Sequence, residues 1–177
     1  HRSLRTQGFS ATLTSMATNR RPIRNERVIY DVLYGFIPIT EWEEQIINSP
    51  FFQRLRSIRQ LSFSNYIFPG AEHNRFAHAI GVMHSMDAMV RALGLGVSDA
   101  DLFSKKATNA AAMLHKSLRI AALLHDIGTF PYSHVVEYAY LRHGNDPRRN
   151  GKRRTKDLPN SHEHLGSFLI KNTDFDG

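Results

Sequence analysis

Leu123-Leu124-His125-Asp126-Ile127-Gly128 is the stretch from which the rest of the chain is best read. A His-Asp dipeptide is close to a chance event in a chain with ten histidines. Its setting is not, because an ionisable pair closing an apolar run costs on the order of several kcal/mol unless something satisfies it. A second histidine, His78, stands upstream in Arg75-Phe76-Ala77-His78-Ala79-Ile80-Gly81-Val82. Two imidazoles and one carboxylate in apolar surroundings can converge on one divalent cation, and these ligand types hold such ions beside phosphate esters.

Outward from that run the spacing is helical. A helix from about Leu114 is expected to stop at Gly128, and Pro131 to open another through about Leu141. Phe76, Ile80, Met83, Ala88 and Val90 predict a long helix over Phe76–Leu93. Thr40 with Glu43 forms a capping box for a helix through Ile47. Ser49-Pro50 starts a further one along Phe51, Phe52, Leu55 and Ile58. Ser62 to Asn74, with Pro69-Gly70, reads as a loop, and Ser161 caps a last helix to about Lys171. Val28 to Ile39 mixes β-formers with Gly35 and Pro38, as a short hairpin or extended arm would. The expected fold class is mainly α.

The 177 residues suffice for one domain with a sizeable core. No apolar run approaches the roughly 20 residues that span a bilayer, and no secretory signal is visible, so an intracellular, cytoplasmic protein is expected. The absence of cysteine removes disulfides and thiolate ligands. The net charge of +7 is uneven: residues 1–27 carry +5, 28–141 carry −1, 142–160 carry +5 and 161–177 carry −2. The expected organisation is therefore a basic polar segment, 1–27, followed by one domain, 28–177, with Arg142–Asn160 as a mobile loop. Residues 1–15, ahead of Met16, are set aside from the fold. Basic segments favour polyanions, single-stranded nucleic acid among them.

Four motifs in order then carry a resemblance. Phe52-Gln53-Arg54-Leu55-Arg56-Ser57-Ile58-Arg59-Gln60-Leu61 leads to Tyr66-Ile67-Phe68-Pro69-Gly70-Ala71. Asn74-Arg75-Phe76-Ala77-His78 follows, then His125-Asp126-Ile127-Gly128 with Phe130-Pro131-Tyr132-Ser133-His134. Together they resemble the HD-domain phosphohydrolases, and within them the deoxynucleoside triphosphate triphosphohydrolases of the dGTPase and SAM-and-HD-domain type.

The resemblance implies a helical bundle around a divalent metal (Mn, Mg, Fe, Co or Ni) held by His78, His125 and Asp126. It implies attack at the α-phosphorus of a dNTP, with release of triphosphate and deoxynucleoside. Arg75 would hold a phosphate, and Gln60 and Leu61 would line the sugar pocket. His134 would stand near the reacting phosphate. His162-Glu163 resembles a later pair in which the carboxylate orients an imidazole proton donor, with Glu163-His164 as the alternative frame. Homo-oligomers are implied as well. Two departures matter. Thr129 stands where the family usually has a histidine, and a hydroxyl cannot shuttle protons near neutral pH as imidazole does. The fourth ligand, an aspartate far downstream, has no counterpart with the right flanks, since Asp174 and Asp176 lack them. An N-terminal piece of a longer enzyme is expected. Other outcomes of the same motifs are a phosphohydrolase of nucleoside monophosphates or other phosphoesters, and a weakly active nucleotide- or nucleic-acid-binding module.

Overall fold

The computed structural model describes residues 27–106, 109–144 and 161–172. The basic segment 1–26, residues 145–160 of the second basic stretch, and Asp174 and Asp176 lie outside them. The chain divides into two units, His1–Ile39 and Thr40–Gly177.

In the first unit, β1 (Arg27–Asp31) pairs antiparallel with β2 (Gly35–Ile39), Asp31 facing Gly35. The turn follows from two residues. Asp31 accepts hydrogen bonds from the amides of Leu33 (2.8 Å) and Tyr34 (3.1 Å), and Gly35 takes a φ of 73° that its missing Cβ makes accessible. Tyr30 and Phe36 meet edge to face across the pair, centroids 5.3 Å apart.

The described part of the second unit is helical: α1 (Glu41–Asn48), α2 (Pro50–Gln53), α3 (Arg75–Ala92), α4 (Asp99–Leu102), α5 (Ala110–Leu124), α6 (His134–Gly144) and α7 (His162–Asn172). The mainly α class is as expected. The caps follow the sequence: Thr40 and Glu43 form the capping box, Ser49 caps α2 ahead of Pro50, Asn74 caps α3 and Asn109 caps α5. α3 packs along α5, and Phe52, Leu55, Ala79, Ile80, Met83, Leu102 and Leu123 form the buried core. None of the described helices is long and apolar enough to cross a membrane.

Three boundaries differ from the periodicity. The run from Pro50 tightens to a 3₁₀ turn at Arg54–Ser57 and ends at Ile58. The cause is pairing: Gln60 N–H donates to His73 O (3.0 Å) and Arg75 N–H to Ile58 O (2.8 Å), which draws residues 58–60 into an extended path. α5 begins four residues earlier than Leu114, at Ala110, and ends at Leu124, so His125 and Asp126 occupy the turn beyond it. α6 begins at His134 rather than beside Pro131, because Tyr132 (φ 60°) and Ser133 (φ 58°) lie in the left-handed region.

Behind the site lies a buried ion network. Arg119 of α5 donates to both oxygens of Glu43, at 2.7 and 2.9 Å, and its Nη1 lies 3.1 Å from Asp87. Burial works against the Arg119 charge, but the Glu43 and Asp87 pairs outweigh it and leave the guanidinium pKa raised. His115 is fully buried. Its Nε2 is 2.9 Å from Asp87 Oδ1, a contact bent away from hydrogen-bond alignment. Burial lowers the His115 pKa, consistent with a neutral core histidine.

Candidate metal centre and the histidine pair beside it

α3 supplies His78, and the turn after α5 supplies His125 and Asp126. The three side chains converge with all their candidate ligand atoms within 4.8 Å of one another. Asp126 Oδ2 lies 3.2 Å from His125 Nε2 and 3.6 Å from His78 Nε2. The imidazoles meet edge to face at 5.3 Å. His125 Nδ1 is 2.7 Å from the carbonyl of Ala122, a bond that fixes the ring and turns Nε2 toward the carboxylate. That outward-facing nitrogen, backed by a backbone acceptor, is the arrangement metal-binding histidines adopt. Two imidazoles and one carboxylate therefore fit a divalent cation of the borderline or hard class.

The electrostatics of Asp126 and His78 favour their ligating forms, and His125 must give up a proton to join them. Burial raises the Asp126 carboxyl, but hydrogen bonding and charge from His125 and Arg75 hold it well below the usual carboxylate range. Burial lowers His78, against the pull of Asp126. His125 is raised, chiefly by its hydrogen bond with Asp126, against burial.

Arg75, at the first position of α3, is buried, with Nη1 donating to Asp126 and Nη2 to the hydroxyl of Ser133. Its Nε is buried with no acceptor among the described residues. Ser133 in turn donates to the carbonyl of Gln60 at 3.3 Å, so one polar chain runs from the metal trio to Gln60. The Gln60 Oε1 is likewise buried with no donor among the described residues. Leu61 is half exposed beside it. Ser62, itself left-handed (φ 55°), donates to Tyr132 O at 2.8 Å, and Phe63 stacks on Tyr132 at 4.9 Å.

A second cluster joins α6 to α7. Glu137 sits one helical turn after His134 and 3.0 Å from its Nδ1. His162 Nδ1 lies 2.8 Å from Glu137 Oε1, and the His162 amide donates to the same oxygen at 2.7 Å. The two rings stand 5.1 Å apart. Burial pushes the Glu137 carboxyl up, and the hydrogen bonds from His134 and His162 bring it down to about 2. Glu163 is mostly exposed, with Oε1 3.3 Å from His162 Nε2. The carboxylate that orients His162 at its Nδ1 is thus Glu137, a residue the motif reading passed over. His134 and Glu137 at i,i+3 on one helix face were the signal available for it. His164 is exposed and stands outside this cluster.

Gly128 explains how α7 reaches this place. A methyl at Gly128 would collide with the His162 carbonyl, the Gly166 amide nitrogen and, at 2.8 Å, the Gly166 Cα. The residue is glycine for this close approach to α7, where the sequence suggested a helix stop. Thr129 is buried, and its hydroxyl has no partner among the described residues.

No family model matches the chain. It is 37% identical over 120 residues to the deoxynucleoside triphosphate triphosphohydrolase SAMHD1 of Homo sapiens, covering 65% of this chain and 17% of that protein. It is 32% identical over 142 residues to an HD domain-containing protein of Acanthamoeba polyphaga mimivirus, covering 78% of this chain and 28% of that protein. A deoxynucleoside triphosphate triphosphohydrolase SAMHD1 homolog of Dictyostelium discoideum is 30% identical over 114 residues, with 64% and 21% covered. The chain thus spans well under a third of the length of these relatives. They are its homologues, and the likeness drawn from its motifs stands.

Proposed function

We propose that this chain, a homologue of HD-domain triphosphohydrolases, carries a divalent-metal centre on His78, His125 and Asp126 and serves the hydrolysis of deoxynucleoside triphosphates to deoxynucleoside and triphosphate. The observation that carries this reading is the convergence of the three side chains from positions 47 residues apart in sequence, with Asp126 held ionised. A bound cation would polarise a phosphoryl oxygen and acidify a water. The protein's own groups do the remainder. Arg75 neutralises Asp126 through its fork and keeps Nε as the donor still unused for a phosphate. His162, oriented through Nδ1 by Glu137, has its Nε2 beside the exposed Glu163 carboxylate at 3.3 Å, where the ring can hold a proton for a leaving oxygen, and exposed His134 stands beside it. Gln60, at the other end of the polar chain, suits the sugar hydroxyl, with Leu61 as the neighbouring wall.

The test is triphosphate release from each dNTP by the chain with Mn²⁺ or Mg²⁺, compared with Asp126→Asn. Turnover in the wild type alone supports the assignment. If a longer polypeptide containing this segment also releases no triphosphate from any dNTP, the substrate assignment is lost. Thr129 favours one other reading of the same site, since a buried hydroxyl replaces a proton-carrying ring. The alternative is a phosphohydrolase of nucleoside monophosphates or other phosphoesters, and phosphate rather than triphosphate as the released product distinguishes it. Binding of single-stranded nucleic acid through the basic segments, and self-association, are proposed on charge and resemblance. A steep loss of affinity with salt, and mass by light scattering, test them.

A further inference from the structure

The turn that carries two of the three metal-binding side chains has an unusual support. Past the end of α5, carbonyl groups lose their helical donors and need others. Arg54, at the start of the 3₁₀ turn after α2, reaches across more than 70 residues of sequence to supply them. Its Nη1 donates to the carbonyl of Thr129 at 2.8 Å and its Nη2 to that of Ile127. These two carbonyls flank Gly128, and Ile127 directly follows Asp126. The amide of Thr129, in the peptide unit between the two gripped carbonyls, closes back on the Asp126 carbonyl at 2.9 Å, so Arg54 holds the turn on either side of the unit that bonds to Asp126.

The guanidinium is an unusual choice for such a task. It is half-buried, burial lowers its pKa, and among the described residues no carboxylate pairs with it. A charge kept where no counter-charge answers it needs a compensating use. Two charge-assisted bonds to carbonyls at fixed separation are that use, and a planar fork makes them where a single ammonium cannot. The turn also rests on α7 through Gly128 and Gly166. The segment is therefore held by two separate contacts.

We infer that Arg54 is a positioning residue for the metal centre: its fork fixes the 125–129 turn, and with it the aim of His125 and Asp126. The inference rests on the metal reading of the trio. Its test uses the whole chain with Arg54→Met and Arg54→Lys. Mn²⁺ affinity by calorimetry is expected to fall about tenfold in both, the magnitude typical of a lost supporting contact around a metal. Millimolar guanidinium is expected to restore much of it in the Met variant. Amide hydrogen exchange in metal-free protein is the second readout: Ile127 and Thr129 exchange faster in the Met variant and slow again with guanidinium, while α3 is unchanged. Wild-type Mn²⁺ affinity together with unchanged exchange at Thr129 overturns the inference. So does faster exchange spread evenly through α3 and α5, which would make Arg54 a general stability residue. If the wild type takes up no Mn²⁺, the proposed function fails, and the exchange comparison still decides the role of Arg54.

Discussion

Replacing Gly128 with alanine adds one methyl where two stretches of main chain touch. The added carbon falls 2.8 Å from Gly166 Cα and closer still to the Gly166 nitrogen and the His162 oxygen. Ordinary carbon contacts lie near 3.5–4.0 Å. All three obstacles are backbone atoms, so no rotamer change relieves them. Overpacking costs about 1–3 kcal/mol, and a backbone-on-backbone clash belongs at the upper end, about 3 kcal/mol. For a chain of this size that corresponds to a fall in Tm of roughly 6–12 °C. The reciprocal change, Gly166→Ala, meets Gly128 N at 3.4 Å and Ile127 Cγ2 at 3.5 Å, which are tolerable contacts. It also removes a glycine from a helix, worth about 1 kcal/mol of stability in its favour. The two alanines should therefore act in opposite directions. Urea and thermal unfolding followed by circular dichroism measure both. Wild-type stability in Gly128→Ala, or greater damage from Gly166→Ala, would refute the claim that α7 is docked through this contact.

Other expectations follow from the ion pairs. Arg119→Met leaves Glu43 buried beside no cation on that side, and should cost about 3–5 kcal/mol in a denaturant titration. Burial raises Asp87, but Arg119 and Arg91 outweigh it and leave the carboxyl below its ordinary value. The unfolded chain therefore takes up that proton first, so the stability Asp87 contributes is present above the ordinary carboxylate range and is lost as pH falls through and below it. Unfolding free energies from pH 7 to 3 should show a shallower acid slope in Asp87→Asn than in the wild type, and equal slopes would count against the network. Glu137→Gln removes the charge that orients His162, and kcat for triphosphate release should fall by roughly a hundredfold with KM little changed. An unaltered kcat would remove Glu137 from the proton-handling group.

The parts of the molecule legible in its sequence are those encoded over a few residues. Thr40 with Glu43 and Ser49 with Pro50 each fix a helix start locally, and the structure has both. His78, His125 and Asp126 were legible because their motifs are short and apolar on both sides. Illegible were the features that depend on distant partners. Nothing near Pro50 announces that residues 58–60 will pair with 73–75 and cut the helix short. Glu137 meets His162 Nδ1 across 25 residues, whereas adjacency pointed only to Glu163, which stands against the ring's other nitrogen. Gly128 reads as a stop in one dimension and as a contact surface in three. Arg54 lies inside a quoted motif, yet its partners are carbonyls, which leave no mark on sequence.

Glu43 has a consequence for how the second unit comes apart. Its Oε2 takes both the Thr40 amide, at the cap of α1, and the Nη2 of Arg119 from α5. Helix ends ordinarily fray alone, at almost no cost to the remainder. Here the last bond of the cap can open only by disturbing an acceptor on which a fully enclosed guanidinium depends. Fraying at Thr40 is thereby tied to loss of the interior, and its amide should exchange on the timescale of global opening rather than of local breathing.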